Sequence, residues 1–217
     1  MKKSVFETSR WTTKKSKLAV LIPCRDMLHS HHAFSLTEMV KLNTQQGIDT
    51  HVVMEASTVL LTQRTRLALE AQNIGAEYML WLDSDIVFPA TTALRLISHN
   101  EDIVACNYVR RSKPYQGVAY EKIWDWQNPL PFEPRDDLVP VEGVGMGCML
   151  MKTKILDKMP LPWFEFHYTE STQDYLGEDM IFCQKIAAQG YQVKIDTMLS
   201  MELHHLGTFA FNVDLLK

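Results

Sequence analysis

Two carboxylates one residue apart, Asp83 and Asp85, follow directly on the apolar run Tyr78-Met79-Leu80-Trp81-Leu82. An apolar run that stops at acids is how a buried strand delivers its chain into a polar turn, and both acids can then face one cleft. Oxygen ligands on a short loop suit Mg2+ or Mn2+, which keep several positions open for substrate phosphates. The D-x-D string by itself is common, and a solvated acidic turn also produces it. Here it has company: Gly177-Glu178-Asp179 opens an amphipathic helical pattern, and His204-His205-Leu206-Gly207 lies beyond it. Imidazole beside carboxylates tilts preference from Mg2+ toward Mn2+. A carboxylate such as Asp179 can take a proton from an attacking hydroxyl, although an acid pair in a first helical turn is also favoured by the helix dipole alone.

The elements that must position these groups follow an alternating pattern. Apolar runs of strand length alternate with longer helical patterns through the first half, as in a parallel sheet with crossover helices. Leu18 to Pro23, apolar on both faces, predicts a first strand covered on each side. Ala33, Leu36, Met39 and Val40 follow helical spacing up to Gly47, and Val52 to Met54 predicts a second strand. Thr62 to Asn73 predicts a helix closed by Gly75, with Leu67, Ala68 and Ala71 on its buried side. Tyr78 to Leu82 is the third strand, Phe88-Pro89 starts another helix, and Asp102 to Tyr108 supplies a fourth strand. In such a sheet ligands gather beyond the carboxyl ends of the strands, which is where Asp83 and Asp85 fall.

From Val109 to Pro140 the alternation fails: prolines stand at 114, 129, 131, 134 and 140. So long an irregular segment inside a compact domain is usually functional. Arg110, Arg111 and Lys113 begin it and either clamp a diphosphate or form a solvated charge cluster; Trp124 and Trp126 either stack on an acceptor sugar or anchor the loop. Val144 to Lys152 predicts a strand, Lys154 to Met159 a short helix, and Pro160 to Leu176 a second, aromatic-rich loop. Glu178 to Gln189 predicts the last helix, capped by Gly190, and Gln192 to Asp196 the last strand. Gly143, Gly145 and Gly147 depart from a dinucleotide fingerprint at Cys148; they read as room for backbone to approach a donor sugar, or as a flexible start to a strand.

Together these features resemble glycosyltransferases of the GT-A fold, in particular inverting, family-2-like members with short chains. The likeness rests on Leu18 to Pro23, Gln63-Arg64, Leu82-Asp83-Ser84-Asp85, Gly177-Glu178-Asp179 and His205-Leu206-Gly207, and spans nearly the whole chain. It implies a Rossmann-like α/β fold with a mixed, mainly parallel sheet flanked by helices. The implied reaction is transfer of a sugar, of hexosyl type, from a nucleoside-diphosphate sugar to an acceptor hydroxyl with inversion. By that resemblance Asp85 would bind a divalent metal, Mn2+ favoured over Mg2+, and His205 would be its C-terminal ligand. Asp83 would contact the nucleotide ribose or reach the metal through water, and Asp179 would be the catalytic base. Pro23, Arg25, Glu55 and Arg64 stand where such enzymes hold the nucleoside. The acceptor would be a glycan, a lipid-linked molecule or another hydroxyl compound.

Two other readings compete. Leu82-Asp83-Ser84-Asp85-Ile86-Val87 also matches the strand-then-D-x-D-x-V pattern of haloacid-dehalogenase-like phosphatases, with Asp83 as nucleophile. In that family the motif closes the first strand rather than the third, and no basic residue stands here for the later lysine motif. A non-catalytic sugar-nucleotide-binding protein is the other reading, against which the intact acid sites speak.

At 217 residues, 46% hydrophobic and 22% charged, the chain is long enough for one well-buried core; residues 1–16 are expected as a polar tail and 17–217 as one domain. A net charge of -4 supplies no basic field, so nucleic-acid binding is not expected. Cys24, Cys106, Cys148 and Cys183 form no C-x-x-C pair and are expected as free thiols in a reducing compartment. No signal-peptide core follows the lysine-rich N-terminus, and no apolar run approaches the roughly 20 residues that span a bilayer. A cytoplasmic protein, soluble or peripherally attached, is the expectation.

Overall fold

Six consecutive buried residues, Leu18 to Pro23, make β1 (Lys17–Cys24) a strand that needs cover on both faces. The computed structural model describes residues 16–216 apart from 126, 171, 172, 208 and 209, and shows that cover. The N-terminal lysines at 2, 3, 14 and 15, and Trp126, lie outside the described residues. After β1 come α1 (Ser30–Gln45), β2 (Asp49–Ala56), α2 (Leu60–Asn73), β3 (Tyr78–Leu82), β4 (Ile86–Val87), α3 (Thr92–Ser98) and β5 (Ile103–Ala105). The next segment holds β6 (Ala119–Tyr120), β7 (Val139–Val141), β8 (Gly143–Val144) and β9 (Cys148–Lys152). Then follow β10 (His167–Thr169), β11 (Asp174–Leu176), α4 (Glu178–Ala188), β12 (Val193–Ile195), α5 (Thr197–Ser200), β13 (His204–Leu206) and β14 (Ala210–Phe211).

Side chains alternate across a strand. Ala19 and Leu21 therefore join one apolar cluster with Leu67, Ala68 and Ala71 of α2 and Ile181, Phe182 and Ile186 of α4. Leu18, Val20 and Ile22 join the opposite cluster with Leu36 and Met39 of α1, Ala93 and Leu96 of α3, and Leu199 of α5. Each fully buried Leu, Ile or Val contributes about 1.5–3 kcal/mol, so the apolar stripe of each helix decides which face it covers.

The central sheet has seven strands in the order β2-β1-β3-β9-β5-β12-β7. β1, β2, β3, β5 and β12 run one way; β9 and β7 run against them. The expected mixed, mainly parallel sheet between helices is the observed architecture. No helix among the described residues is long and apolar enough to cross a membrane.

The departures from the sequence expectations are local. The stretch 144–152 is not one strand: β8 pairs with β6 in a two-stranded ribbon, and only β9 enters the central sheet. The fourth strand is β5 alone: the Cys106 N–H still donates to the Cys148 carbonyl at 2.9 Å, but the Asn107 N–H turns away to the Ser200 hydroxyl at 2.9 Å. Proline at 89 precedes the helix instead of opening it, since Ile86–Val87 is first used as a strand. The second irregular stretch contains the β10–β11 hairpin, whose paired rings mask the period-two pattern. Gly75 (φ 65°) and Gly190 (φ 83°) end α2 and α4 in the left-handed conformation that suits glycine.

The glycines at 145 and 147 turn out to make room for a ring. A Cβ on Gly145 would stand 2.6 Å from the Tyr108 hydroxyl, and one on Gly147 2.7 Å from Tyr108 Cζ. The Gly147 N–H donates to that hydroxyl at 3.1 Å. Gly145→Ala is therefore expected to cost about 1–3 kcal/mol, the usual effect of overpacking, measured by urea unfolding. An unchanged midpoint would refute the packing role.

Candidate functional site

β1 and β2 are neighbours in register, Pro23 opposite Glu55, yet their connections leave to opposite faces: α1 covers one and α2 the other. Adjacent strands whose chains part in this way leave a crevice at their carboxyl ends. A cleft of about 460 Å³ opens there, walled by Pro23, Cys24 and Arg25 after β1, by Ser57 and Thr58 after β2, and by Ser84 from the acidic turn. Its floor is fixed by Gln63, buried on α2, whose amide donates to the Glu55 carbonyl at 3.0 Å, the Ser57 carbonyl at 2.9 Å and the Cys24 carbonyl. Pro23 and Arg25 thus line the cleft. Glu55 does not: its carboxylate is engaged by Arg66 at 2.6 Å.

The acidic turn is held from below. The Asp83 N–H donates to the Gly147 carbonyl at 3.1 Å, and the Ile86 N–H donates to the Asp83 carbonyl at 3.1 Å. Beneath it lies Arg64, 3% exposed, which donates from Nη2 to Asp83 Oδ1 at 3.3 Å and from Nε to Glu178 Oε1 at 3.1 Å. Its Cζ sits 5.6 Å from the centre of the Trp81 ring. One guanidinium thereby ties the carboxyl end of β3 to the first turn of α4. Burial works against the charge of Arg64, but Asp83 and Glu178 more than offset it and raise its pKa.

His205 is brought in by pairing. β13 lies antiparallel between β4 and β14, with His205 opposite Ile86 and the Leu206 N–H donating to the Asp85 carbonyl at 2.7 Å. Successive residues of a strand face opposite ways, so His204 and His205 are separated and only His205 approaches Asp85. His205 Nδ1 lies 2.9 Å from the Val109 carbonyl, which can only accept; Nδ1 therefore carries the hydrogen. Nε2 is turned to Asp85 Oδ1 at 3.5 Å. Arg111 reaches the other Asp85 oxygen, Oδ2, at 2.8 Å. Burial opposes the Asp85 charge, yet His205 and Arg111 outweigh it and hold the carboxyl below its ordinary value.

Asp179 opens α4 beside Glu178. Burial, with the Glu178 carboxylate next in effect, pushes its carboxyl up to about 7; Arg64 offsets part of this. Asp83 is raised as well, first by burial, with Arg64 offsetting and Asp85 and Glu178 adding. Four carboxylates thus share one end of the sheet. Asp85 and His205 are brought together and Asp83 is close by, bonded to Arg64. Among the described residues no three His, Cys, Asp or Glu side chains form a group that could hold a metal ion.

No protein-family model and no curated protein sequence matches the chain. Among solved structures it is similar to A197 from STIV, with a TM-score of 0.56 and 16% identity over 88% of this chain and 86% of that one. It also matches a glycosyltransferase involved in the glycosylation of the major capsid of PBCV-1, with a TM-score of 0.38 and 13% identity over 67% of this chain and 69% of that one. A third match is the mannosyltransferase PcManGT from Pyrobaculum calidifontis in complex with GDP-Man and Mn2+. Its TM-score is 0.45 and its identity 12%, over 85% of this chain and 58% of that chain. At 16% identity, the likeness to A197 is one of fold.

Two residues of the site, Tyr108 and His32, are not singled out by the sequence, and a third, Glu178, is legible there only as an acid at a helix start. Tyr108 is buried with its ring edge-on to His205 at 5.2 Å, and burial raises its phenol well above the ordinary value. His32 backs β4, its Nδ1 2.8 Å from the Ile86 carbonyl, and burial lowers its pKa. Glu178 is the second partner of Arg64, a role that only the contact between α2 and α4 reveals. Replacing Arg64 by Met strands two carboxylates, and breaking a buried pair this way costs about 3–5 kcal/mol. Arg64→Met is expected to lose that much in urea unfolding, with part recovered when Glu178→Gln is added. A single variant as stable as the parent would refute the clamp.

Proposed function

We propose that the chain is a glycosyltransferase that moves a sugar, of hexosyl type, from a nucleoside-diphosphate sugar to an acceptor hydroxyl with inversion. The observation that carries this reading is the Asp85–His205 pair at the edge of a cleft shaped by the carboxyl ends of β1 and β2. Pro23 and Arg25 would face the nucleoside in that cleft, with Ser84 between it and the acids. Asp83 would contact the ribose or reach a metal through water. Arg64, enclosed under the turn, and Glu55, held by Arg66, would serve by fixing the walls.

What supports a divalent ion is a pair of donors, Asp85 and His205. His205 Nδ1–H is committed to a carbonyl, the outer-shell arrangement that orients metal-binding histidines, so Nε2 would take an ion in place of the proton it turns to Asp85. Asp85 and His205 would hold the ion, Mn2+ favoured over Mg2+ for a nitrogen and oxygen set. When bound, such an ion neutralises the charge that grows on the departing diphosphate. Arg111, already at Asp85, is placed to reach the same charge.

Asp179 would take the proton of the acceptor hydroxyl as its oxygen bonds to the anomeric carbon. The bond from that carbon to the diphosphate breaks, and its electron pair leaves with the nucleoside diphosphate. A base whose pKa lies near neutrality suits this transfer. The acceptor could be a glycan, a lipid-linked molecule or another hydroxyl compound.

Titration calorimetry with UDP- and GDP-linked donors tests the metal: affinity should require Mn2+, and Asp85→Ala should abolish most of that requirement. Equal affinity in chelator would sink the metal assignment.

Asp179→Asn keeps the shape of the helix start and removes the base. Transfer should fall by roughly 10²-fold or more with donor affinity unchanged. In the parent, transfer should rise with pH through about 7 as Asp179 ionises. The linked stability runs the other way: a carboxyl raised in the folded state adds stability below its unfolded pKa, near 3.9, and that stability is lost as pH climbs to about 7. A parallel loss of donor affinity in Asp179→Asn, or a flat pH profile in the parent, would remove Asp179 from the base role.

A further inference from the structure

The β10–β11 hairpin stands apart from the central sheet and runs through Gly177 straight into the first turn of α4, which carries Asp179. Its two faces differ. Leu176 is buried in the core, and His167, its cross-strand partner, meets the Trp124 ring at 6.1 Å. The other face carries three large rings into solvent: Phe166 at 50% exposure, Tyr168 at 48% and Tyr175 at 65%. Tyr168 and Tyr175 are directly opposed, their rings 5.2 Å apart, and Phe166 lies 6.5 Å from Tyr175. Rings that hold one another edge-to-face while staying half uncovered form a built apolar surface, and such surfaces mark binding sites.

The charges around the rings select the occupant. Glu170 and Asp174 stand exposed on the hairpin, Glu165 beside it is paired with Lys185 at 2.5 Å, and no other Lys or Arg follows residue 158 until Lys194. Anionic lipid headgroups and nucleic acid are drawn by clustered Lys and Arg and repelled by such a surface. Pyranose rings present C–H faces to aromatic rings and hydroxyls to carboxylates. We propose that the outward face of this hairpin is a docking platform for an extended neutral glycan, the acceptor chain, whose end reaches Asp179. This rests on the glycosyltransferase reading and names its acceptor class.

The test is calorimetry with neutral manno-, gluco- and galacto-oligosaccharides, on the parent and on Tyr168→Ala/Tyr175→Ala, with circular dichroism as the check on folding. One oligosaccharide class should bind the parent and lose at least tenfold in affinity in the double variant. Mn2+-dependent nucleotide affinity should stay unchanged. Should the double variant not fold, Phe166→Ser and Tyr175→Ser taken singly carry the same expectation. Failure of every oligosaccharide to bind, or binding that survives the substitutions, overturns the platform. So does ring-dependent sedimentation with phosphatidylcholine vesicles, or a ring-dependent dimer in size-exclusion chromatography. Because glycan binding needs neither donor nor metal, it can fail while nucleotide binding holds, and the reverse.

Discussion

A single buried guanidinium organises the functional end of the molecule. Arg64 comes from α2, whose apolar face is locked to β1 by Leu67, Ala68 and Ala71. It must find partners, since an isolated buried charge costs far more than a helix contact returns. Those partners, Asp83 and Glu178, come from two elements far apart in sequence, and each is drawn to the same point because the guanidinium offers donors in two directions. The turn after β3 and the first turn of α4 therefore hold one fixed distance, and Asp179 inherits its place from its neighbour's ion pair.

The second constraint is backbone pairing. The three strands β14-β13-β4 carry the C-terminal histidine to the acidic turn. Two backbone contacts, at Leu206 and at the Val109 carbonyl, orient His205 before any electrostatic attraction to Asp85 is counted. Tyr108 packs on that ring and occupies the space left by Gly145 and Gly147. Wall, turn and histidine are in this way one packed unit.

Much of this was legible in the sequence, for reasons that differ by element. β1 and β3 are continuous apolar runs, α2 has a clean stripe and a glycine stop, and the acids end a strand; each is a local signal with a physical cause. Glu178 was legible only as a helix-start acid, because its partner lies 114 residues away. The glycines at 145 and 147 read in the sequence as room for a donor sugar or as a flexible strand start; the folded chain places the Tyr108 ring there. β13 escaped notice because two histidines and a leucine show no alternation, and the strand exists by virtue of its pairing with β4. Arg64 was legible through the resemblance as a nucleoside contact, whereas its burial is a property of the packed α2–α4 surface.

The arrangement makes poor sense as a stabilising device. Asp83, Asp85, Glu178 and Asp179 crowd one end of the sheet with Arg64 as the buried cation, and two of them are pushed above their ordinary pKa by burial and by one another. A sequence selected for stability alone would replace such acids with amides or apolar residues, since the same helix and turn could be built without them. Local choices that work against the fold belong where function constrains them, and the two continuous apolar clusters beneath are large enough to bear the cost. The raised carboxyl of Asp83 is what a cation bound at the proposed site would relieve, and the raised carboxyl of Asp179 is what the proposed proton acceptor near neutral pH requires. Both features therefore point to the same end of the sheet, and it is the end at which the cleft opens.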